Sequence, residues 1–327
     1  MYTTELAANH YRKQSNKRNE STTLLPILMH FFEPIFGVHL PDGLIQGPGI
    51  ITGWCIALLL LLLGSRNLSN DEIPKISLLT AVFFLTSLFP IQVPGGPKTH
   101  LLLNGLIGVI LGQRAVLAIA PALFLQSLLF AHGGFLSLGL NICIMTIPAL
   151  LMNPFAKIIQ KPLILGKPFT QLIICFFLIS ASIFAVTAGI LMLAWQFKYD
   201  EKSEIIKHVL LFLTSPLSII GFIILSMITT WIFFKSRNGM MFALGFFIGL
   251  LGVLFTILLH TSIMLVCAVP NLEPIIFITC MIHLPLAIVE GLTVGIMLSF
   301  LAKVKPEMLN LIGYKQSEDC LIITNET

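Results

Sequence analysis

Three histidines in this chain of 327 residues stand where their ring nitrogens could converge on a metal ion. His39 opens the stretch His-Leu-Pro-Asp-Gly, His100 closes Pro-Gly-Gly-Pro-Lys-Thr-His, and His132 precedes Gly133 and Gly134. Neutral imidazole is the commonest protein ligand for metals near neutral pH, and it suits nickel, copper, zinc and cobalt. The neighbouring prolines and glycines would stiffen each approach, and Asp42 could add an oxygen donor. A second reading stays open: an amphipathic imidazole ring rests comfortably at the edge of an apolar segment without binding anything. Further along, His283 and Glu290 are seven residues apart and share one helix face. Their roles divide between organising packing or docking a partner and ligating directly. Asn104, one turn past His100, and Asn141 could each orient a ligand ring, or could simply bridge two helices.

The elements that must hold these residues are apolar. Of the residues, 56% are hydrophobic and 10% are charged, and the mean hydropathy is +0.95. Soluble domains carry roughly 25% charged residues to cover their surface, so lipid must solvate most of this one. Apolar runs cover about 49–64, 76–91, 100–112, 115–131, 135–153, 169–195, 209–234, 240–266 and 274–302. Crossing a hydrocarbon layer of roughly 30 Å takes about 20 helical residues, and backbone in lipid must satisfy its own hydrogen bonds. Period-two alternation is absent, which argues against a barrel. The expected fold is therefore an all-α integral membrane bundle of about nine transmembrane helices, with seven to nine as the range. The run after His100 is the shortest and follows Pro94-Gly95-Gly96-Pro97.

Basic residues set the orientation. With the loop before the first helix outside, the inner face carries Arg66, Lys75, Arg114, Lys157, Lys161, Lys167, Lys235, Arg237, Lys303, Lys305 and Lys315, 11 of the 19 Lys and Arg. The outer loops carry 4, namely Lys98, Lys198, Lys202 and Lys207. The positive-inside rule then places the C-terminus in the cytoplasm and all three histidines at the outer boundary. Three regions are expected: an N-terminal extension or cleaved signal segment over 1–37, a membrane domain over 38–309, and a cytoplasmic tail over 310–327. The first region has a basic stretch, a short apolar core and Gly37, in the outline of a signal peptide. Ile35 is a poor residue at the −3 position of such a cut, and His30 interrupts the apolar core, so an uncleaved surface tail is the other reading.

Six cysteines are scattered without paired spacing, so neither a disulfide framework nor a thiolate metal site is indicated. P-loop, dinucleotide and H-E-x-x-H patterns are absent as well. Energy from nucleotide would have to come from a partner, and no nucleic-acid partner is expected.

Four stretches carry a family resemblance. Val38-His39-Leu40-Pro41-Asp42-Gly43, the Pro/Gly-rich loop from Val93 to His100 with Gly105 and Gly112 after it, QSLLFAHGGFLSLGLN from Gln126 to Asn141, and His283 to Thr293 followed by VKPEML at Val304 to Leu309 come in order along the chain. Together they are similar to the substrate-capture component of energy-coupling factor transporters for cobalt or nickel, the CbiM/NikM family. The resemblance implies capture of Co(II) or Ni(II) as transported substrate, with no intrinsic cofactor and no enzymatic activity of this subunit. It implies a transmembrane coupling subunit, ATP-hydrolysing subunits and a small auxiliary membrane subunit as partners, in a bacterial inner membrane.

In that family an N-terminal amine, an amide nitrogen and two histidines make a near-planar four-nitrogen site, a geometry preferred by Ni(II) and Cu(II). Matched by motif, His39 and His100 are ligands and Val38 stands where the amine should be. Here the sequence departs from the pattern: Val38 is internal, and its nitrogen becomes an amine only if the chain is cut after Gly37. Met29-His30 is an alternative start, although the Pro-Asp-Gly context belongs to His39. Two helices more than the family's usual number are expected within 154–237. The competing function class is an intramembrane metalloenzyme or structural subunit using the same histidines. A catalytic zinc would need about three protein ligands, an open position and a nearby acid or base, and Glu290 is far along the chain from His39 and His100.

Overall fold

A computed structural model of the chain describes residues 39–89, 91–92, 98–130, 132–196, 216–234, 237–269 and 273–309. Among them are nine α-helices: α1 (Gly47–Ser65), α2 (Ile73–Ser87), α3 (Asn104–Leu111), α4 (Ala115–Phe130), α5 (Leu138–Leu165), α6 (Pro168–Gln196), α7 (Pro216–Phe234), α8 (Arg237–Cys267) and α9 (Glu273–Val304). A two-residue antiparallel pair, β1 (Ile91–Gln92) with β2 (Lys98–Thr99), accompanies them. The expectations for 1–38 and for the tail over 310–327 lie outside the described residues, as does part of the extra helical region within 154–237.

The structure bears out the expected all-α membrane fold, and five candidate crossings stand among the described residues. By length and composition alone, these five are long and apolar enough to cross a membrane: 47–65, 104–130 (taken through its turn at 112–114), 138–163, 238–267 and 282–304. Two of the nine helices are too short to cross unaided. α2 has 15 residues and α3 has 8, and eight residues rise only about 12 Å. The run from His100 was expected to be helical throughout, whereas helix begins only at Asn104 and 100–103 is irregular. In the other direction α5 continues past Asn153, running through Pro154 and Pro162 to Leu165. The surface is apolar on its outward faces, with Leu58, Leu62, Leu128, Ile158, Ile296 and Phe300 exposed. The chain is a multi-pass, all-α membrane protein apart from that one β pair.

α3 and α4 fold back on each other. The 3-10 turn Gly112–Arg114 joins them, and Gly112 has φ +56°, a conformation costly for residues with a Cβ. One leg is short helix and the other, α4, has 16 residues, about 24 Å. The difference is made up by 100–103, which is not helical and so covers more length per residue than a helix does. His100 and His132, at the two open ends of this hairpin, therefore meet.

α8 and α9 are antiparallel and pack through paired Gly-x-x-x-Gly positions. A Cβ on Gly245 would lie 2.8 Å from Gly295 Cα, and one on Gly249 would lie 3.0 Å from Gly291 Cα. Small residues allow such backbone approach between helices in lipid. This contact brings α9 close enough for Glu290 to reach the irregular segment 100–103.

A candidate metal centre of three histidines

His39 lies on a strap, 39–46, that crosses one end of the bundle. Gln46 N–H donates to Cys267 O and Val269 N–H to Leu44 O, both at 2.9 Å. On its other side Leu40 is held like a rung of a ladder. Its N–H donates to Asn141 Oδ1 (2.7 Å) and its carbonyl accepts Asn141 Nδ2–H (3.0 Å) and Gly134 N–H (2.9 Å). Asp42 completes the lock: Oδ2 accepts Phe135 N–H at 3.0 Å and Oδ1 accepts Ser137 N–H at 2.9 Å. Ser137 is the N-cap residue of α5, where a carboxylate also meets the positive end of the helix. The strap thus fastens to the loop that bears His132. Gly133 has φ +78°, and a Cβ there would press on His39 Cβ at 3.3 Å.

His100 arrives by a different route. The register Ile91↔Thr99 ends β2 just before it. The segment that follows is held from α9: Glu290 Oε2 accepts Leu102 N–H at 3.1 Å and Oε1 accepts Leu103 N–H. Leu103 has φ +47°, a left-handed conformation that a leucine holds only when its surroundings enforce it. Backbone N–H groups at membrane depth need a partner, and a fully buried carboxylate at the start of α3 supplies it.

The three imidazoles meet. His39 Nε2 and His100 Nε2 are 3.2 Å apart, and His100 Nε2 and His132 Nε2 are 3.1 Å apart. All three ligand atoms lie within 4.8 Å of one another. His39 and His100 stack with an interplanar angle of 15°, while His132 stands edge-on to His39 at 69°. His100 Nδ1–H donates to Leu101 O at 2.9 Å, which leaves the Nε2 lone pair facing the cluster. Metal–imidazole bonds run about 2.05 Å, so nitrogens 3.1 to 3.2 Å apart would subtend roughly 100° at a shared ion. His39 and His100 are buried and His132 is half-buried. Burial holds all three below the usual histidine range. For His39 the proximity of His132, His100, His283 and His260 adds to burial. For His100 burial outweighs the Leu101 hydrogen bond. His132 is pushed down to about 4, by burial first and His100 second. Neutral imidazoles present lone pairs, as a metal site requires.

The sequence-derived candidates divide accordingly. His39, His100 and His132 come together. Asp42 spends both oxygens on the 135–137 loop and holds the strap instead of reaching the cluster. Asn141 holds the backbone beside His39 and not its ring. Asn104 Nδ2–H donates to Thr256 Oγ1 on α8 at 2.6 Å, the interhelical bridge. Glu290 serves backbone, and His283 Nε2 faces Thr99 Oγ1 at 3.5 Å. Val38 lies outside the described residues. Ser137 and His260 escaped sequence reasoning, and Arg114 was read there only as an inner-face charge. His260 carried a readable signal, an ionisable group inside an apolar run.

Residues 39–232 and 210–308 match the model of a family described as the cobalt uptake substrate-specific transmembrane region. A putative metal transport protein of Haemophilus influenzae is 34% identical over 116 residues, 36% of this chain and 56% of that protein. The cobalt transport protein CbiM of Anoxybacillus flavithermus is 30% identical over 122 residues, 35% of this chain and 49% of its own length. The fused nickel transport protein NikMN of Rhodobacter capsulatus is 30% identical over 112 residues, 32% of this chain and 31% of its own length. These matches therefore span between 31% and 56% of the relatives' own length. A crystal structure of a transition metal transporter, 19% identical, covers 81% of this chain and 93% of that one with a TM-score of 0.40, too low to carry an argument.

Proposed function

This chain belongs to the family of cobalt uptake substrate-specific transmembrane regions, and from that premise we propose that it is the substrate-capture subunit of an uptake system for Co(II) or Ni(II). One observation carries the reading: three imidazole nitrogens from three separate segments converge, neutral and largely buried, at one end of the bundle. Borderline divalent ions prefer such donors, while Mg(II) and Ca(II) prefer oxygens. The histidine end faces outside and the C-terminus is cytoplasmic, in keeping with the asymmetry of basic loop residues. The chain is not an enzyme on this reading. ATP-hydrolysing subunits and a transmembrane coupling subunit in a bacterial inner membrane supply the energy, and a small auxiliary membrane subunit completes the set. Against a metalloenzyme, Glu290 has both oxygens engaged by backbone N–H groups and is not free to act as acid or base.

His39, His100 and His132 are the metal ligands in this proposal, and the fourth position falls to the nitrogen of Val38 if the chain is cut after Gly37. In that arrangement the deprotonated His39 amide nitrogen binds as well and closes a six-membered ring only through His39 Nδ1, whereas the three-histidine cluster uses Nε2. The two ligand sets therefore differ in spectrum. Mass spectrometry of the mature protein, paired with the visible spectrum of its Ni(II) complex, separates them. A cut chain should give a square-planar ion, and an intact chain an ion of higher coordination. Isothermal titration of the wild type against His39→Ala tests capture itself: unchanged Ni(II) and Co(II) affinity in the variant would refute it.

A further inference from the structure

Two more histidines lie deeper in the bundle than the cluster, inside membrane-spanning segments. His283 on α9 and His260 on α8 are 0% and 3% exposed. An ionisable side chain at that depth is expensive and commonly marks a path for ions or protons. His283 Nδ1–H donates to Thr279 O at 2.7 Å, which fixes the tautomer and leaves the Nε2 lone pair pointing towards Thr99. His100 is oriented in the same way by Leu101 O. A ring held by a backbone carbonyl with its other nitrogen free is the usual posture of a metal-ligating histidine. The only hydrogen-bond contact of His283 Nε2 among the described residues is the long 3.5 Å approach of Thr99 Oγ1, and Thr99 immediately precedes His100.

His260 adds the second donor. Its Nδ1 is buried with no hydrogen-bond partner among the described residues, and so is Thr279 Oγ1. The contact of Thr261 Oγ1 with Cys280 Sγ at 3.2 Å sets the register of α8 against α9 and puts His260 within one turn of His283. Both histidines are close enough to influence the charge state of His39. A structural pair would leave an unpartnered buried nitrogen that stabilises nothing. A pair that receives an ion explains it.

We propose that His260 and His283 form a second station for the same borderline divalent ion, with the Thr99 and Thr279 hydroxyls as further donors, reached from the three-histidine site as the ion moves inward. The place of this pair on a route rests on the outer cluster being a capture site, but its residues are separate. Two imidazoles should hold an ion more weakly than three, as passage requires: binding must be favourable enough to enter and weak enough to leave.

Titration of the full-length detergent-purified protein with Ni(II) or Co(II) alone tests the station. The wild type should bind one tight equivalent and a second at least about tenfold weaker. His260→Leu combined with His283→Leu should remove only the weaker equivalent, and His100→Ala only the tighter. Should the double variant fail to fold, His260→Gln retains a polar group of similar size, and loss of the weak equivalent in it gives the same support. Saturation of the wild type at one equivalent that survives the loss of His260 and His283 would overturn the station, as would a weak equivalent that persists in the double or the single variant. A single equivalent that disappears in His100→Ala leaves the capture site standing without the station. A single equivalent indifferent to His100→Ala but lost with His260 and His283 removes the capture site instead.

Discussion

The two ends of the bundle solve opposite electrostatic problems. At the histidine end, three side chains bring acceptor nitrogens together. At the other end, the α3–α4 turn carries Arg114, and acceptors close around it. Its Nη1 donates to Gly64 O and Arg66 O (2.6 Å each), its Nη2 to Asn67 O (2.8 Å), and its Nε to Glu72 Oε1 at 3.2 Å. Gly64 O is one of the carbonyls left unpaired where α1 ends, and Arg66 O and Asn67 O belong to the chain just beyond it. Ser69 N–H and the Arg114 guanidinium hold the Glu72 carboxyl below the usual carboxylate range. One end contains its own cation and is complete. The other, on the proposed reading, takes a cation into a cluster whose rings are fixed by groups outside it. Rigidity at the first end preserves the fold, whereas at the second it preorganises a ligand set.

The comparison breaks most sharply at His100, which makes both of the short nitrogen contacts. His100→Ala should lower Ni(II) or Co(II) affinity by about 100-fold or more, with His132→Ala milder at about tenfold, since each removes a strong donor. Isothermal titration checks both, and equal small effects would show that the cluster does not bind as a unit. Glu290→Ala is next. It strands two buried N–H groups at about 1–3 kcal/mol each, so thermal unfolding in detergent should record a loss of about 2–5 kcal/mol. Glu290→Gln keeps one acceptor and should lose less. Arg114→Gln sharpens the contrast from the other side. It should cost about 1–3 kcal/mol of stability and leave metal affinity within about threefold, and a large loss of affinity would mean that the two ends are not separate.

The smallest effect is expected from acid. The free imidazole pKa is about 6.5, and the folded site holds its histidines lower, His132 at about 4. Between these values the unfolded chain binds more protons than the folded one, so stability falls as pH drops through about 6.5 and levels off below about 4. Metal affinity, in contrast, should change by less than about threefold from pH 7.5 to 6, because the folded ligands are already neutral. A titration series across that range measures it, and a tenfold drop by pH 6 would contradict the buried, neutral cluster.

Much of this was legible in the chain. Long apolar runs become helices because lipid leaves the backbone no other partner, and the boundaries of α1, α4 and α6 fall within two residues of the runs read for them. His39, His100 and His132 were readable as a group because each is bounded by Pro or Gly at the end of a run. What stayed hidden depends on partners remote in sequence. Residues 100–103 are as apolar as any helix, and only the Glu290 carboxylate on α9 lets them remain unwound. Asp42 looked like a ligand because its chemistry suits one. Its allegiance to Phe135 and Ser137 is visible only once strap and loop face each other.

The bond between Glu290 and the segment after His100 also sets an order of assembly. Leu103 and Glu290 are 187 residues apart. At a ribosomal pace of about 5–20 residues per second, the segment waits roughly 10 to 40 seconds for its acceptor. Until then the Leu102 and Leu103 amides lack that acceptor, and the first leg of the hairpin has only eight helical residues. The histidine end therefore lacks one of its supports until α9 is made. It closes last, when the C-terminal helix docks, and a nascent chain truncated before α9 would carry all three histidines and still lack the site.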